Sequence, residues 1–229
     1  MPRIPIKLAA AALVAGVAVA SCGPVKMGAA AIVGNQRITT TSLAQEVADL
    51  SNGYQAYKNQ VQLQYPVSEM PQQVLAWLVR FQVRDRLAQR EGITVTPAQA
   101  QQALAAITAQ IKSSGSSATL SQVAVANGLP PDLLPELGRY QAIQTMLLNR
   151  LDGGKLPTAT AAQQALEAQF NGSQCRAAKS LDIQINPQFG VLDYGTFAIV
   201  PAQTTLSRGQ GSSPAPSPSA SAPQLTPPC

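Results

Sequence analysis

The chain has 229 residues, of which 12% are charged, and a net charge of +5 at neutral pH. It contains no histidine, which excludes Ser-His-Asp and Cys-His nucleophilic catalysis, histidine-ligated zinc and imidazole acid–base chemistry. The positive surplus is mild and no basic run interleaves with aromatics, so a nucleic-acid footprint is missing.

Taken in chain order, Arg3 and Lys7 precede an Ala/Val/Leu run over 8–20, followed by Val19-Ala20-Ser21-Cys22. A positive start, a short apolar stretch and small residues before the cut describe a secretion signal, and the run is too short to span a bilayer. The tetrapeptide resembles the bacterial lipobox. That resemblance implies removal of residues 1–21, a diacylglycerol thioether on Cys22, and a mature protein held on the extracytoplasmic face of the cell membrane. Only the linker 22–28 then separates the lipid from the first structured segment, roughly 20 Å of extended chain.

Residues 29–33, Gly34-Asn35 and 36–39 read as strand, turn and strand. Thr41 or Ser42 is expected to cap a helix whose stripe of Leu43, Val47, Leu50, Tyr54, Tyr57, Val61 and Tyr65 continues to Pro66, with Gly53 a weak point inside it. Pro71 opens a second helix that is apolar on more than one face and therefore central. Arg80, Arg84, Asp85 and Arg90 mark its solvent face, and Asp85 and Glu91 read as a solvated ion-pair set with Arg84, Arg86 and Arg90. Gly92 ends it.

Pro97 starts a third helix that dies in the Ser/Gly loop over 113–117. A short helix over 120–126 stops at Asn127-Gly128, and Pro130-Pro131 starts a longer one that runs to Leu151. A sixth helix is expected over about 161–170. The alternation over 181–185 predicts a half-buried strand, and 195–199 is either another strand or an irregular finish. From residue 209 the chain is Pro, Ser, Ala and Gln, too poor in apolar groups to fold. The domain is thus expected over 29–208 and a tail over 209–229.

Beyond Cys22, the chain has Cys175 and Cys229. Outside the cytoplasm such a pair suits a disulfide. An intermolecular bond from Cys229 and a buried thiol at Cys175 stay open as alternatives.

Several segments in order are similar to the amino-terminal chaperone domain of SurA and its Gram-positive lipoprotein relatives. These are Ala31-Ile32-Val33-Gly34-Asn35-Gln36-Arg37-Ile38-Thr39 with the helix starting at Ser42-Leu43, then the block from Leu120 through Gly128-Leu129 and Asp132-Leu133 into the helix ending at Leu151. Asn186-Pro187-Gln188-Phe189-Gly190 resembles the closing motif of the actinobacterial members, with Gln188 where arginine is usual and Leu192 where tryptophan is usual. The resemblance implies a mainly α, multi-helix domain in which a small β-sheet pairs the amino-terminal hairpin with a returning carboxy-terminal strand. It also implies binding of unfolded or extracytoplasmic polypeptides. The chain has no room for the parvulin isomerase domain that many members add. In the closing motif, Asn186, Pro187, Phe189 and Gly190 read as structural, Pro187 fixing a turn and Gly190 releasing it.

The expected function is therefore a lipid-anchored holdase without isomerase activity, having no cofactor, metal or nucleic-acid partner. The rival is an envelope assembly lipoprotein with one fixed protein partner. A holdase needs adaptable apolar groups beside a polar rim. Candidates are Tyr54, Tyr57, Tyr65, Met70, Trp77, Phe81 and Met146, with the tyrosines favoured because amphipathic rings suit a surface that is sometimes wet.

Overall fold

The computed structural model describes residues 27–154 and 159–202. The expected signal segment, Cys22, Cys229 and the expected tail lie outside the described residues. Gly34, at φ +60°, lets the chain reverse between β1 (Ala29–Val33) and β2 (Gln36–Thr39). The two strands pair antiparallel, Val33 opposite Gln36 and Ala31 opposite Ile38, with an irregularity between Ala29 and Ala31.

Thr39 caps α1 (Thr40–Tyr57), its hydroxyl accepting from the Ser42 amide at 3.0 Å. The cap thus stands two residues before the expected Thr41. The helix also ends sooner than the stripe suggested. From Lys58 the backbone leaves the helix, and the Gln64 amide donates to the Ala126 carbonyl at 2.9 Å. Val61, Leu63 and Tyr65 then face the core while Gln62 and Gln64 face out. That is the period of an extended chain, not of a helix.

A 3-10 turn at Val67–Glu69 leads into α2 (Met70–Arg90), the hub of the fold. Val74, Leu75, Val79 and Val83 on it are fully buried, together with Leu43, Leu50, Val33 and Val125. Pro97 sits at the start of α3 (Pro97–Ser113) behind a Thr96/Gln99 capping box, and Thr119/Gln122 form another ahead of α4 (Leu120–Ala126). Each cap of this kind is worth about 1 kcal/mol. A 3-10 turn at Pro131–Leu133 precedes α5 (Leu134–Leu151). The last helix, α6 (Thr160–Lys179), runs nine residues beyond the expected stop at Phe170, because Gln174, Cys175, Ala177 and Ala178 are buried and hold it to the body.

The chain then returns to the hairpin. β3 (Gln184–Ile185) pairs with β1 on the side away from β2, giving the order β2-β1-β3. The fold is thus mainly α with a small antiparallel sheet that joins the two ends of the domain. Asn186 fastens the return: its amide and its side-chain Nδ2 donate to the Ala30 and Ala29 carbonyls at 2.9 and 3.0 Å. Residues beyond it form a second hairpin, β4 (Val191–Asp193) with β5 (Ala198–Val200), so the region around 195–199 holds a turn and a strand.

Two charge assignments change. Asp85 pairs with Arg139 of α5 at 2.8 Å and Glu91 with Arg150 of α5 at 3.6 Å, so both bridge helices instead of lying along one face. Both pairs are about half exposed, which limits each to less than about 1 kcal/mol. Arg84 is not on a solvent face at all; it is 3% exposed.

Tyr65 lends itself to a pH test. Its hydroxyl donates to the Val125 carbonyl at 3.3 Å, and burial, with the Tyr54 ring as a lesser cause, pushes its pKa up to about 12. The folded state therefore keeps a proton that the unfolded state releases above the ordinary value near 10. The associated stability is complete below pH 10 and drains away between pH 10 and 12. Tyr65→Phe should flatten that part of the stability profile, read by urea midpoints from pH 8 to 11.5. An unchanged slope would show that Tyr65 does not titrate with folding.

Candidate functional site

One face of α2 carries Trp77, Arg80, Phe81 and Arg84, the i, i+3, i+4, i+7 positions that share a side of a helix. The facing surface comes from Tyr140 and Gln144 of α5, Phe170 and Gln174 of α6, and the turn Gly195-Thr196-Phe197 between β4 and β5. Trp77, Phe81 and Tyr140 form a mutual aromatic group with centroid separations of 5.6 to 6.1 Å, Tyr140 standing edge-on to the other two. The Trp77 indole donates to the Asn127 carbonyl at 3.0 Å, so its polar end is satisfied while its ring stays available for contact.

Two cavities share Trp77 as a wall. One, of about 340 Å³, is polar and carries Arg80 and Arg84. The other, of about 270 Å³, is mainly apolar, with Ile107 of α3, Leu120, Val123 and Ala124 of α4, then Leu129 and Leu137, and with Gln110, Asn127 and Gln141 as its polar atoms. A third cavity, about 240 Å³, lies where β1 meets β3 and includes Pro187 and Asn186.

Arg84 is held rigidly. Its guanidinium carbon lies 3.4 Å from the Tyr140 ring centroid and 5.0 Å from that of Phe170. Its Nη1 donates to Gln144 Oε1 at 2.8 Å, its Nη2 to Gln174 Oε1 at 2.5 Å, and its Nε is buried without an acceptor. Burial, only partly countered by the Tyr140 ring, pulls its pKa down to about 10. Arg80 lies 5.0 Å from the Trp77 centroid, with one weak bond, at 3.4 Å, to the Thr196 carbonyl. Burial lowers its pKa as well.

The sequence candidates separate into groups. Trp77 and Phe81 come together in the aromatic face just described. Tyr54, Tyr57 and Tyr65 are half-buried and pack against the main core, and Met146 packs on a second core cluster around Ile143 and Phe170. Met70 is 5% exposed, a residue of the main core and not a contact for a ligand. Arg80, Arg84, Tyr140, Ile107 and Leu129 were not among the candidates, although the spacing of 77, 80, 81 and 84 places both arginines beside the aromatics.

Asn186 also accepts at its Oδ1 from the Gln188 amide at 3.2 Å, and the Phe189 amide donates to the Asn186 carbonyl at 2.9 Å, closing a turn around Pro187. Cys175 is 7% exposed and engaged in a disulfide, so its Sγ, 3.5 Å from the Tyr194 carbonyl, has no proton to donate there. Among the described residues no cluster of His, Cys, Asp or Glu is suited to a metal, and no helix is long and apolar enough to cross a membrane.

A family model described as a SurA-like N-terminal domain matches residues 3–148. No curated protein and no solved structure matches the chain. The matched stretch contains β1, β2, α1 to α4 and most of α5, and with them Trp77, Arg80, Phe81, Arg84 and the whole apolar cavity. α6 and the closing strands lie beyond it. The chain belongs to the SurA-like N-terminal domain family.

Proposed function

We propose that this protein is a lipid-anchored, non-catalytic holdase that binds unfolded polypeptides on the extracytoplasmic face of the cell membrane. The family is one of chaperone-type domains, which supports polypeptide binding. The observation that carries the reading is the apolar cavity beside Trp77: aliphatic side chains from α3, α4 and α5, with amide side chains at its edge, can accept varied residues without demanding one shape. The lipid anchor rests on the lipobox-like sequence at Cys22, and the expectation of no isomerase activity on the absence of histidine, which a parvulin site normally carries.

Suppression of aggregation tests the proposal. The protein at equimolar ratio should reduce light scattering of several unrelated denatured clients. Leu120→Asp should remove most of that effect, because it sets a carboxylate in the apolar cavity. The same change leaves α4 intact, since an acidic residue at a helix start complements the dipole. Protection of one client alone would favour the assembly role with a fixed partner. Cys22→Ser should release the protein from the membrane fraction, and retention there would sink the anchor.

A further inference from the structure

Arg84 poses an energetic problem that the fold does not solve. The guanidinium of a residue only 3% exposed normally has a carboxylate against it, because a buried charge without a counter-charge is costly. Here its hydrogen-bond partners are neutral: two glutamine oxygens and, at 3.4 Å, the Tyr140 carbonyl. Arg80, a turn away in the same cleft, has no carboxylate either. The described ion pairs are Arg139 with Asp85 and Arg150 with Glu91. All eleven Asp and Glu residues of the sequence fall within the described segments, and none of them pairs with Arg80 or Arg84.

We infer that this cleft receives a carboxylate carried by an apolar stretch of bound polypeptide, which deepens, and rests on, the holding role proposed above. Arg80 is the contact. Its guanidinium lies over the Trp77 ring, and apart from the weak bond to Thr196 its N–H groups have no hydrogen-bond acceptor, so the fork can meet two carboxylate oxygens in parallel. Arg84 is the positioning residue. Its Nη1 is held by Gln144 and the Tyr140 carbonyl and its Nη2 by Gln174, so it supplies a fixed positive field behind Arg80. The shared Trp77 wall sets the carboxylate next to aliphatic side chains in the neighbouring cavity, which fits a polypeptide and not a small inorganic anion. The folded-state cost at Arg84, expressed as its lowered pKa, is what an incoming carboxylate offsets.

Trp77 is the chain's only tryptophan, so its emission reports occupancy directly. The test uses the full chain and three short peptides of one Leu/Val/Ser sequence: one with a free carboxy terminus, one amidated, and one amidated with an internal Glu. The first or third should bind about tenfold tighter than the amidated parent, the scale of one charge-assisted bidentate contact. Which of them gains tells a chain terminus from an acidic side chain. Arg80→Gln should erase that preference, weakening the favoured acidic peptide more than the amidated parent. Added salt should narrow the preference in the parent protein and leave the variant indifferent. Equal binding of all three peptides, or an Arg80→Gln effect on all three alike, overturns the carboxylate inference alone. No response to any of them overturns the holding role with it.

Discussion

Gly190→Val should release the terminal hairpin and lower the melting temperature by about 6–12 °C. Gly190 sits at φ +124°, a conformation that L side chains rarely adopt, and a Cβ added there runs into the Val200 carbonyl across the hairpin. Strain of that kind costs about 1–3 kcal/mol and the overlap a comparable amount. Together they reach about 3 kcal/mol, and each kcal/mol shifts the midpoint of a domain this size by about 2–4 °C. The chain avoids the overlap by lifting β4 and β5 away. That uncovers Phe197 and Ile199, which belong to the main core, and removes the Gly195-Thr196-Phe197 wall of the arginine cleft. Amides of β4 and β5 should then exchange within the fast fraction while those of α2 stay protected. Peptide discrimination at Arg80 should weaken with them. If hairpin amides stayed protected in a variant with an unchanged melting point, the close approach at Gly190 would be unimportant.

Punctuation made the order of helices legible. Thr96-Pro97 and Thr119 open helices with capping boxes, and Gly92 and Gly128 close them at positive φ. What the sequence obscured was decided by tertiary contacts. Asn171-Gly172-Ser173 reads as a helix stop, yet α6 passes through it because Gln174, Cys175, Ala177 and Ala178 are buried against the body; packing overrides local propensity there. After Tyr57 the apolar steps of four continue by coincidence, whereas Val61-Gln62-Leu63-Gln64-Tyr65 alternates strictly, and that alternation was the usable signal for an extended segment.

The site was obscured for a related reason. Arg80 and Arg84 share a helical face with Trp77 and Phe81, but a charged residue is by habit assigned to solvent. Position along the helix was the better guide than charge: a face cannot be aromatic and solvated at once unless something else covers it. Here Tyr140, Phe170 and the β4–β5 turn cover it, from segments that lie 56 to 120 residues away in sequence, and no local pattern announces those partners. The tyrosine stripe of α1, by contrast, was the more visible signal and packs on the core.

Gly138 and Gly172 put the same conflict between local preference and packing to a direct test, because one substitution should act with opposite sign at two helical glycines. Ala is better than Gly inside a helix by about 1 kcal/mol. At Gly172 of α6 an added methyl meets only the movable end of Arg176, at 3.3 Å, so Gly172→Ala should stabilise by up to about 1 kcal/mol. At Gly138 of α5 the methyl would lie 2.6 Å from the Ala100 carbonyl oxygen and 2.8 Å from Leu104 Cγ, both on α3. Backbone cannot rotate aside as a side chain can. α3 has to back away, at a cost of about 2–3 kcal/mol once the propensity gain is counted. The consequence reaches the site, since α3 brings Ile107 and α5 brings Leu137 to the apolar cavity. Gly138→Ala should therefore lose stability and client protection together, while Gly172→Ala keeps protection and melts higher. Urea midpoints and light scattering on the two variants decide the matter. A Gly138→Ala protein as stable as its parent would mean that α3 and α5 are not in the close register on which the cavity beside Trp77 depends.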